Sequence, residues 1–151
     1  MSRIEKDELC FTDVEWYGVD KKGNIAVFCS GGQATVPEFV CANKEKYEQL
    51  IFLFDKFPKT SDTIICFNPS SVNHKPVEVA ERFSEKGLYY FDSDDCSDRE
   101  KNICSLNNYY TINSKPTLPI NICDLPYEIQ NLLQENKLPI DDFDKMIIFD
   151  V

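Results

Sequence analysis

The chain has 151 residues, 42% of them hydrophobic and 13% aromatic, which predicts one globular domain and excludes disorder along most of its length. The formal net charge of −10 disfavours nucleic acid and anionic membranes as main partners, because both repel an acidic surface. No apolar run approaches the roughly 20 residues that span a bilayer, and the charged N-terminus shows no secretory signal, so we expect a cytoplasmic protein.

The first predicted element is a β-hairpin within residues 13–37. Side chains of residues 14–19 and 25–29 alternate between two faces, and both faces are largely apolar. The polar loop between them contains Gly23, which can adopt the left-handed conformation that closes a tight turn. We therefore expect a strand pair that is covered on both sides. Ser30-Gly31-Gly32 then breaks the second strand. It lacks the lysine of a phosphate-binding loop, so a turn or bulge is the preferred interpretation.

The rest of the chain is predicted to contain three helices and four strands. Asn43 is predicted to cap a helix whose apolar positions recur at helical spacing until Pro58. The third predicted helix is capped by Asp124. The remaining predicted elements are a buried strand at 63–67, a helix at 76–86 ended by Gly87, a strand at 88–91, a long loop at 93–108, and strands at 109–112 and 146–149.

This order of elements, β-β-α-β-α-β-β-α-β, is typical of the α+β class. Hairpins and helices are interleaved, whereas a doubly wound fold would show a regular alternation of strand and helix. We therefore predict a single domain over residues 1–151, with a mixed or mainly antiparallel sheet and about three helices packed on it.

Seven cysteines occur at positions 10, 29, 41, 66, 96, 104 and 123, without a CxxC pair. A zinc site normally shows closely spaced ligand pairs, and His74 is the single histidine. Since no export signal is visible, we expect reduced thiols that are mostly buried. Those that lie in or beside apolar stretches are Cys29, Cys41, Cys66 and Cys123.

Two groups of residues could carry chemistry. Cys66 and His74 could act as nucleophile and base, but we expect Cys66 to lie in a buried strand, where a thiol is inert. Residues 92–100 are rich in aspartate, but Cys96 and Ser97 stand where a calcium loop needs an oxygen ligand and then glycine. We therefore predict no catalytic residues, no cofactor, no metal and no enzymatic activity.

The acidic residues are concentrated in the second part of the chain. Residues 88–151 carry 12 acidic and five basic residues, whereas residues 1–87 carry 14 and 11. If the acidic segments 92–100 and 141–144 converge, they form a negative surface suited to a basic protein. The alternative is that the acidic charge only keeps the protein soluble. The predicted partner-binding residues are Asp92, Asp94, Asp95, Asp98, Glu100, Tyr109, Asp141, Asp142 and Asp144.

A pattern of aromatic, glycine and proline residues resembles that of small uncharacterised bacterial proteins, some of which are thought to be immunity proteins that neutralise toxins. The residues concerned are Trp16, Asp20, Gly23, Phe28, Gly31, Gly32, Pro37, Gly87, Leu88, Tyr89, Leu125 and Pro126. The resemblance and the acidic charge together predict a cytosolic protein-binding module, specifically an immunity protein that occupies the basic active site of a toxin.

Two further hypotheses remain open. One is a small enzyme or ligand-binding domain with a pocket beside residues 30–33, lined by Trp16, Tyr17 and Cys29. The other is an accessory subunit of a larger complex. An exposed apolar patch near the C-terminal strand would favour this second alternative.

Overall fold

A mixed β-sheet forms the centre of the structure. The computed structural model describes residues 2–67, 77–93 and 106–151, and within these ranges the sheet has six strands. They are β1 (Glu15–Val19), β2 (Ile25–Cys29), β3 (Thr63–Ile65), β4 (Tyr89–Asp92), β5 (Tyr109–Pro116) and β6 (Ile148–Asp150). The strand order is β1-β2-β4-β5-β3, with β6 also paired to β5. Only β2 and β4 run parallel among these pairs, which confirms the predicted α+β class and mainly antiparallel sheet.

Among the described residues, three helices cover one face of the sheet, and a short helix with two 3-10 turns covers the other. Over the same described ranges, the α-helices are α1 (Glu38–Cys41), α2 (Lys44–Asp55), α3 (Val77–Ser84) and α4 (Tyr127–Leu132). Short 3-10 turns occur at Lys6–Cys10, Ile122–Asp124, Gln134–Asn136 and Phe143–Lys145. Two buried apolar clusters result, one on each face of the sheet.

The predicted hairpin is confirmed, including the facing of its side chains. Trp16 and Phe28 lie in one cluster and stack with ring centroids 4.1 Å apart. Tyr17 lies in the other cluster and stacks on Phe54 of α2 at 4.5 Å. Because both faces are covered, every residue of β2 is buried.

The two longer helices begin or end where the sequence predicts. The Asn43 side chain accepts a hydrogen bond of 3.1 Å from the backbone N–H of Lys46 and so caps α2. Helix α3 lies within the predicted range and is followed by Gly87, whose φ of 88° is one that only glycine adopts without strain.

Two local predictions are wrong. Asp124 does not cap α4, because it ends a 3-10 turn and α4 begins only after Pro126. Leu125 is extended, as a residue before proline favours, so the helix cannot start earlier. The strand at 63–67 is not buried, because β3 lies at the edge of the sheet and Ile64 is 48% exposed.

Candidate protein-binding surface

The predicted acidic surface includes one residue that the fold buries. Asp92 is 3% exposed, and its carboxylate accepts hydrogen bonds from the Tyr90 hydroxyl and the Ser93 backbone N–H, both at 2.9 Å. These donors offset the cost of burying the carboxylate. Asp92 is therefore a structural residue at the end of β4 and is not on the surface. The other predicted residues of this segment, Asp94, Asp95, Asp98 and Glu100, lie outside the described residues.

Asp92 and the 141–144 segment do not converge. The Asp144 carboxylate accepts from the hydroxyl of Tyr89, with an O···O distance of 3.4 Å, and Tyr89 begins β4. Asp92 ends the same strand. The two acids are thus placed at opposite ends of β4, and the buried Asp92 adds nothing to a negative surface. Convergence of residues 94–100 with the 141–144 segment stays a prediction, because residues 94–100 lie outside the described ranges.

A buried aspartate holds the 141–144 segment against the β1–β2 turn. Asp20 is 4% exposed, and one of its carboxylate oxygens accepts from the backbone N–H groups of Lys22 and Asn24 at 3.0 and 2.8 Å. The other oxygen accepts from the Asn24 side chain at 3.0 Å and from the backbone N–H of Phe143 at 2.8 Å. Because Phe143 is fully buried, this bond fixes the segment to the core.

Each acidic residue of the 141–144 segment faces a lysine. Asp141 lies 3.2 Å from Lys21, and Asp142 lies 2.9 Å from Lys22. The hydrogen bond from Lys22 lowers the pKa of Asp142, whose side chain is 10% exposed. Asp144 lies 3.9 Å from Lys115, and its own side chain stays 58% exposed. The segment is therefore less negative than its sequence suggests, and the charge of Asp142 is largely neutralised by its ion pair with Lys22.

Exposed apolar side chains are grouped near this segment, at the edge of the sheet. They are Ile64 (48% exposed) on β3, Ile147 (73%) just before β6, Ile148 (51%) on β6, and Val151 (42%) just after it. The predicted binding residue Tyr109 lies opposite Asp150 in the β5–β6 register and is half-buried. We name the edge formed by β3 and β6, together with residues 62–66 and 147–151, the split edge.

The sequence predicts both strands of the split edge but does not show that they lie at an edge. The runs Thr63–Phe67 and Met146–Phe149 are apolar on both faces, which is equally typical of a central strand. A single short apolar run does not show how many neighbours its strand has. The C-terminal exposed patch named above as favouring an accessory subunit is present.

The predicted pocket beside residues 30–33 does not exist in the expected form. Trp16, Tyr17 and Cys29 are 0%, 2% and 8% exposed and belong to the two apolar clusters. The Trp16 indole N–H donates to the hydroxyl of Tyr110 at 3.1 Å, so its polar atom is also satisfied inside. The pocket hypothesis in that form is wrong, because its lining residues are core residues.

A cleft is present elsewhere, between the Lys6–Cys10 turn and α1. Its volume is about 910 Å³, and Ile4, Leu9 and Val36 contribute apolar lining. Arg3 and Glu38 also line it and form an ion pair there. The volume lies within the range of small-molecule sites.

The cysteines only partly follow the prediction. Cys29 and Cys41 are free and buried, as expected, whereas Cys66 and Cys123 are free and exposed. Cys66 therefore does not lie in a buried strand, and His74, its proposed base, lies outside the described residues. Cys10 is disulfide-bonded, so the expectation of reduced thiols is wrong for this residue.

Comparison of the chain with protein-family models, with curated proteins and with solved structures found no match. Among the described residues, none of the helices has the length and apolar character that crossing a membrane requires. The same residues contain no group of three or more His, Cys, Asp or Glu side chains arranged to hold a metal ion. The geometry of the chain itself therefore carries the functional argument.

Proposed function

We propose that the chain is a protein-binding module and that the split edge is its binding surface. The observation that carries this proposal is the grouping of exposed apolar side chains there, with Ile147 and Ile148 more than half exposed. Scattered apolar side chains are ordinary on a protein surface, but a group of them marks an interaction site. Binding a partner would remove these side chains from water.

The charge of the chain defines the class of partner. The net charge is −10, and exposed Asp62, Asp144 and Asp150 lie at or beside the split edge. A basic protein would be attracted to this surface, and the attraction would raise its association rate at low ionic strength. The resemblance to toxin-immunity proteins supplies a specific class of basic partner, namely a toxin.

The disulfide bears on where this binding takes place. Disulfides persist in oxidising compartments and are rare in the cytosol. Because Cys10 is disulfide-bonded, the proposed binding is better suited to an oxidising compartment than to the cytoplasm. A protein recovered from its host with Cys10 reduced would favour the cytoplasm instead.

Affinity capture from native-host extract at low and at moderate salt tests the proposal. We expect a basic protein to be captured at low salt and to be lost as salt rises, because surface charge interactions are screened. Failure to capture any protein in either condition would contradict the proposal. The cleft beside α1 would then be the next site to test, with a ligand screen read by thermal shift.

Two charge variants make the assay specific. The first carries Asp62→Asn, Asp144→Asn and Asp150→Asn, and we expect it to weaken binding by about tenfold or more and to reduce the salt dependence. The matched control removes the same number of charges near α4, which packs towards the β1 side of the sheet, through Asp124→Asn, Glu128→Gln and Glu135→Gln. Equal weakening by both variants would show a general charge effect and would remove the split edge from the account.

A further inference from the structure

The split edge offers backbone hydrogen-bonding groups as well as apolar side chains. Ser114 of β5 is paired with β4 on one side and with β3 on the other, and Thr111 is likewise paired with β4 and with β6. Strands β3 and β6 therefore follow one another along the same side of β5. The eight residues of β5 give this edge a length of about 26 Å.

The hydrogen-bond pattern of β3 shows which of its backbone groups point outward. The Cys66 N–H donates to the carbonyl of Asn113 at 2.8 Å, and the Asp62 carbonyl accepts at 3.0 Å from the residue that follows β5. In an antiparallel pair the residues alternate between facing the partner strand and facing away. The N–H and C=O groups of Thr63 and Ile65 therefore point away from β5.

Strand β6 also directs alternate backbone groups outward. The Ile147 carbonyl accepts from β5 at 2.8 Å, and the Val151 N–H donates at 2.7 Å to the Asn108 carbonyl just before β5. Ile148 and Asp150 alternate with these residues, so their N–H and C=O groups point outward. Within the described ranges, no strand pairs with β3 or β6 on that outer side.

Alternate side chains of the split edge lie on opposite faces of the sheet. Ile65 packs towards the helical face of the sheet, so Ile64 lies on the opposite face. Phe149 belongs to the cluster on that opposite face, and Ile147 shares its direction two residues earlier. Asp150 lies on the helical face. An added strand would therefore meet Ile64 and Ile147 on one face and Asp150 together with Ile148 on the other.

The occupant is unlike a second copy of this chain. Two copies would each bring a net charge of −10, and like charges oppose their association. Asp62 and Asp150 are exposed on the split edge, and Asp144 is exposed beside it. Charge complementarity therefore selects a basic occupant, and the apolar face selects side chains that can cover Ile64 and Ile147.

We propose that an extended segment of a basic partner protein, with apolar and basic residues in alternation, pairs with the split edge by β-strand addition. The inference rests on the proposed function and adds its mode of recognition. Main-chain hydrogen bonds to the outward groups supply affinity, and the alternating side chains supply specificity. The edge residues Thr63, Ile65, Ile148 and Asp150 form the ladder with the partner.

A peptide titration tests this mode directly on the full chain. The probe is a blocked octapeptide of alternating valine and lysine, followed by amide hydrogen exchange in NMR spectra. We expect the outward amides of Thr63, Ile65, Ile148 and Asp150 to exchange at least about tenfold more slowly when the peptide is bound. Two matched peptides serve as controls: one with an N-methyl group on every residue, which has no backbone donor on either edge, and one with glutamate in place of lysine.

Several results would overturn the inference. The first is binding of the N-methylated peptide as tightly as the parent, because it lacks the required donors. The second is binding that leaves the four amides unprotected, and the third is no binding at about millimolar peptide. Strong binding of the glutamate peptide would contradict the charge argument.

A backbone variant separates this inference from the proposed function. Ile148→Pro removes an outward N–H, and an edge strand tolerates proline where the N–H faces solvent. Ile148→Glu is its partner variant, which keeps the N–H and changes only the side chain. A natural partner captured equally by wild type and Ile148→Pro would overturn strand addition and leave the binding function intact. No captured partner at all would overturn the binding function.

A wild-type dimer that Ile148→Pro converts to monomer would assign the edge to a second copy and overturn the inference. The peptide experiment on wild type stands even if Ile148→Pro fails to fold.

Discussion

Replacing Asp20 by asparagine should loosen the 141–144 segment, because it removes the acceptor of two hydrogen bonds, one of which comes from that segment. One Asp20 oxygen accepts two backbone N–H groups, at 2.8 and 3.0 Å, and an asparagine carbonyl can keep both. The other oxygen accepts the Phe143 N–H at 2.8 Å and the Asn24 side-chain N–H at 3.0 Å, and the amide NH2 that replaces it can accept neither. The buried Phe143 N–H is then left without its acceptor.

The expected cost comes mainly from the Phe143 N–H, because Phe143 is buried whereas Asn24 is half-buried. An unsatisfied buried donor costs about 1–3 kcal/mol, so we expect Asp20→Asn to lower the free energy of unfolding by about 2 kcal/mol. For a domain of this size, that corresponds to a decrease in Tm of about 4–8 °C. Asp20→Ala removes all four bonds and should cost at least about twice as much.

Urea unfolding and amide hydrogen exchange together measure this effect. In Asp20→Asn the exchange of the Phe143 amide should accelerate more than that of amides within β1 and β2. Asp141→Asn is the matched control, because Asp141 is 89% exposed and its ion pair with Lys21 should contribute less than about 1 kcal/mol. Wild-type stability of Asp20→Asn together with a protected Phe143 amide would refute the role assigned to the Asp20 carboxylate.

Three further predictions concern the core and the sheet. The Thr63 hydroxyl is buried and has no hydrogen-bond partner among the described residues. Thr63→Val should therefore leave the free energy of unfolding unchanged or raise it by up to about 1 kcal/mol. A lower free energy of unfolding in urea would contradict this and show that the hydroxyl has a partner. Gly87→Ala should cost about 2 kcal/mol or more in the same assay, because φ is +88° and the new Cβ would lie 2.9 Å from the Ile120 backbone nitrogen; wild-type stability would contradict that geometry. Burial raises the pKa of Glu15 above its ordinary 4.5, against the opposing hydrogen bond from Tyr17 and the charge of Arg82. A raised pKa means that ionised Glu15 opposes folding, so the stability that its protonated form contributes is lost as pH rises through the folded pKa. The free energy of unfolding of Glu15→Gln should therefore increase relative to that of wild type as pH rises from about 4 to neutral. An increase relative to wild type as pH falls would have the opposite sign and would refute the assignment.

The sequence alone determined those features that depend on local periodicity and capping. Alternation with a period of two placed Trp16 and Tyr17 on opposite faces, and both faces proved to be covered. The Asn43 cap and the glycine at position 87 were also predictable, because each satisfies a requirement of the backbone within a few residues.

The tertiary structure decided which strands have neighbours on both sides and which charges reach the surface. The apolar runs at 63–67 and 146–149 look like central strands, yet they share one edge of β5, because strand order is set by packing across the whole sheet. The sequence predicts a surface position for Asp92, but hydrogen bonds from the Tyr90 hydroxyl and the Ser93 N–H offset the cost of burying its carboxylate. Contacts between residues distant in sequence fix the strand order, and the pairing of β4 with β2 and β5 places Asp92 between two strands, where it is buried. Periodicity carries no information about either outcome. The position of the split edge therefore depends on the tertiary structure, whereas the alternation of its side chains follows from the sequence alone.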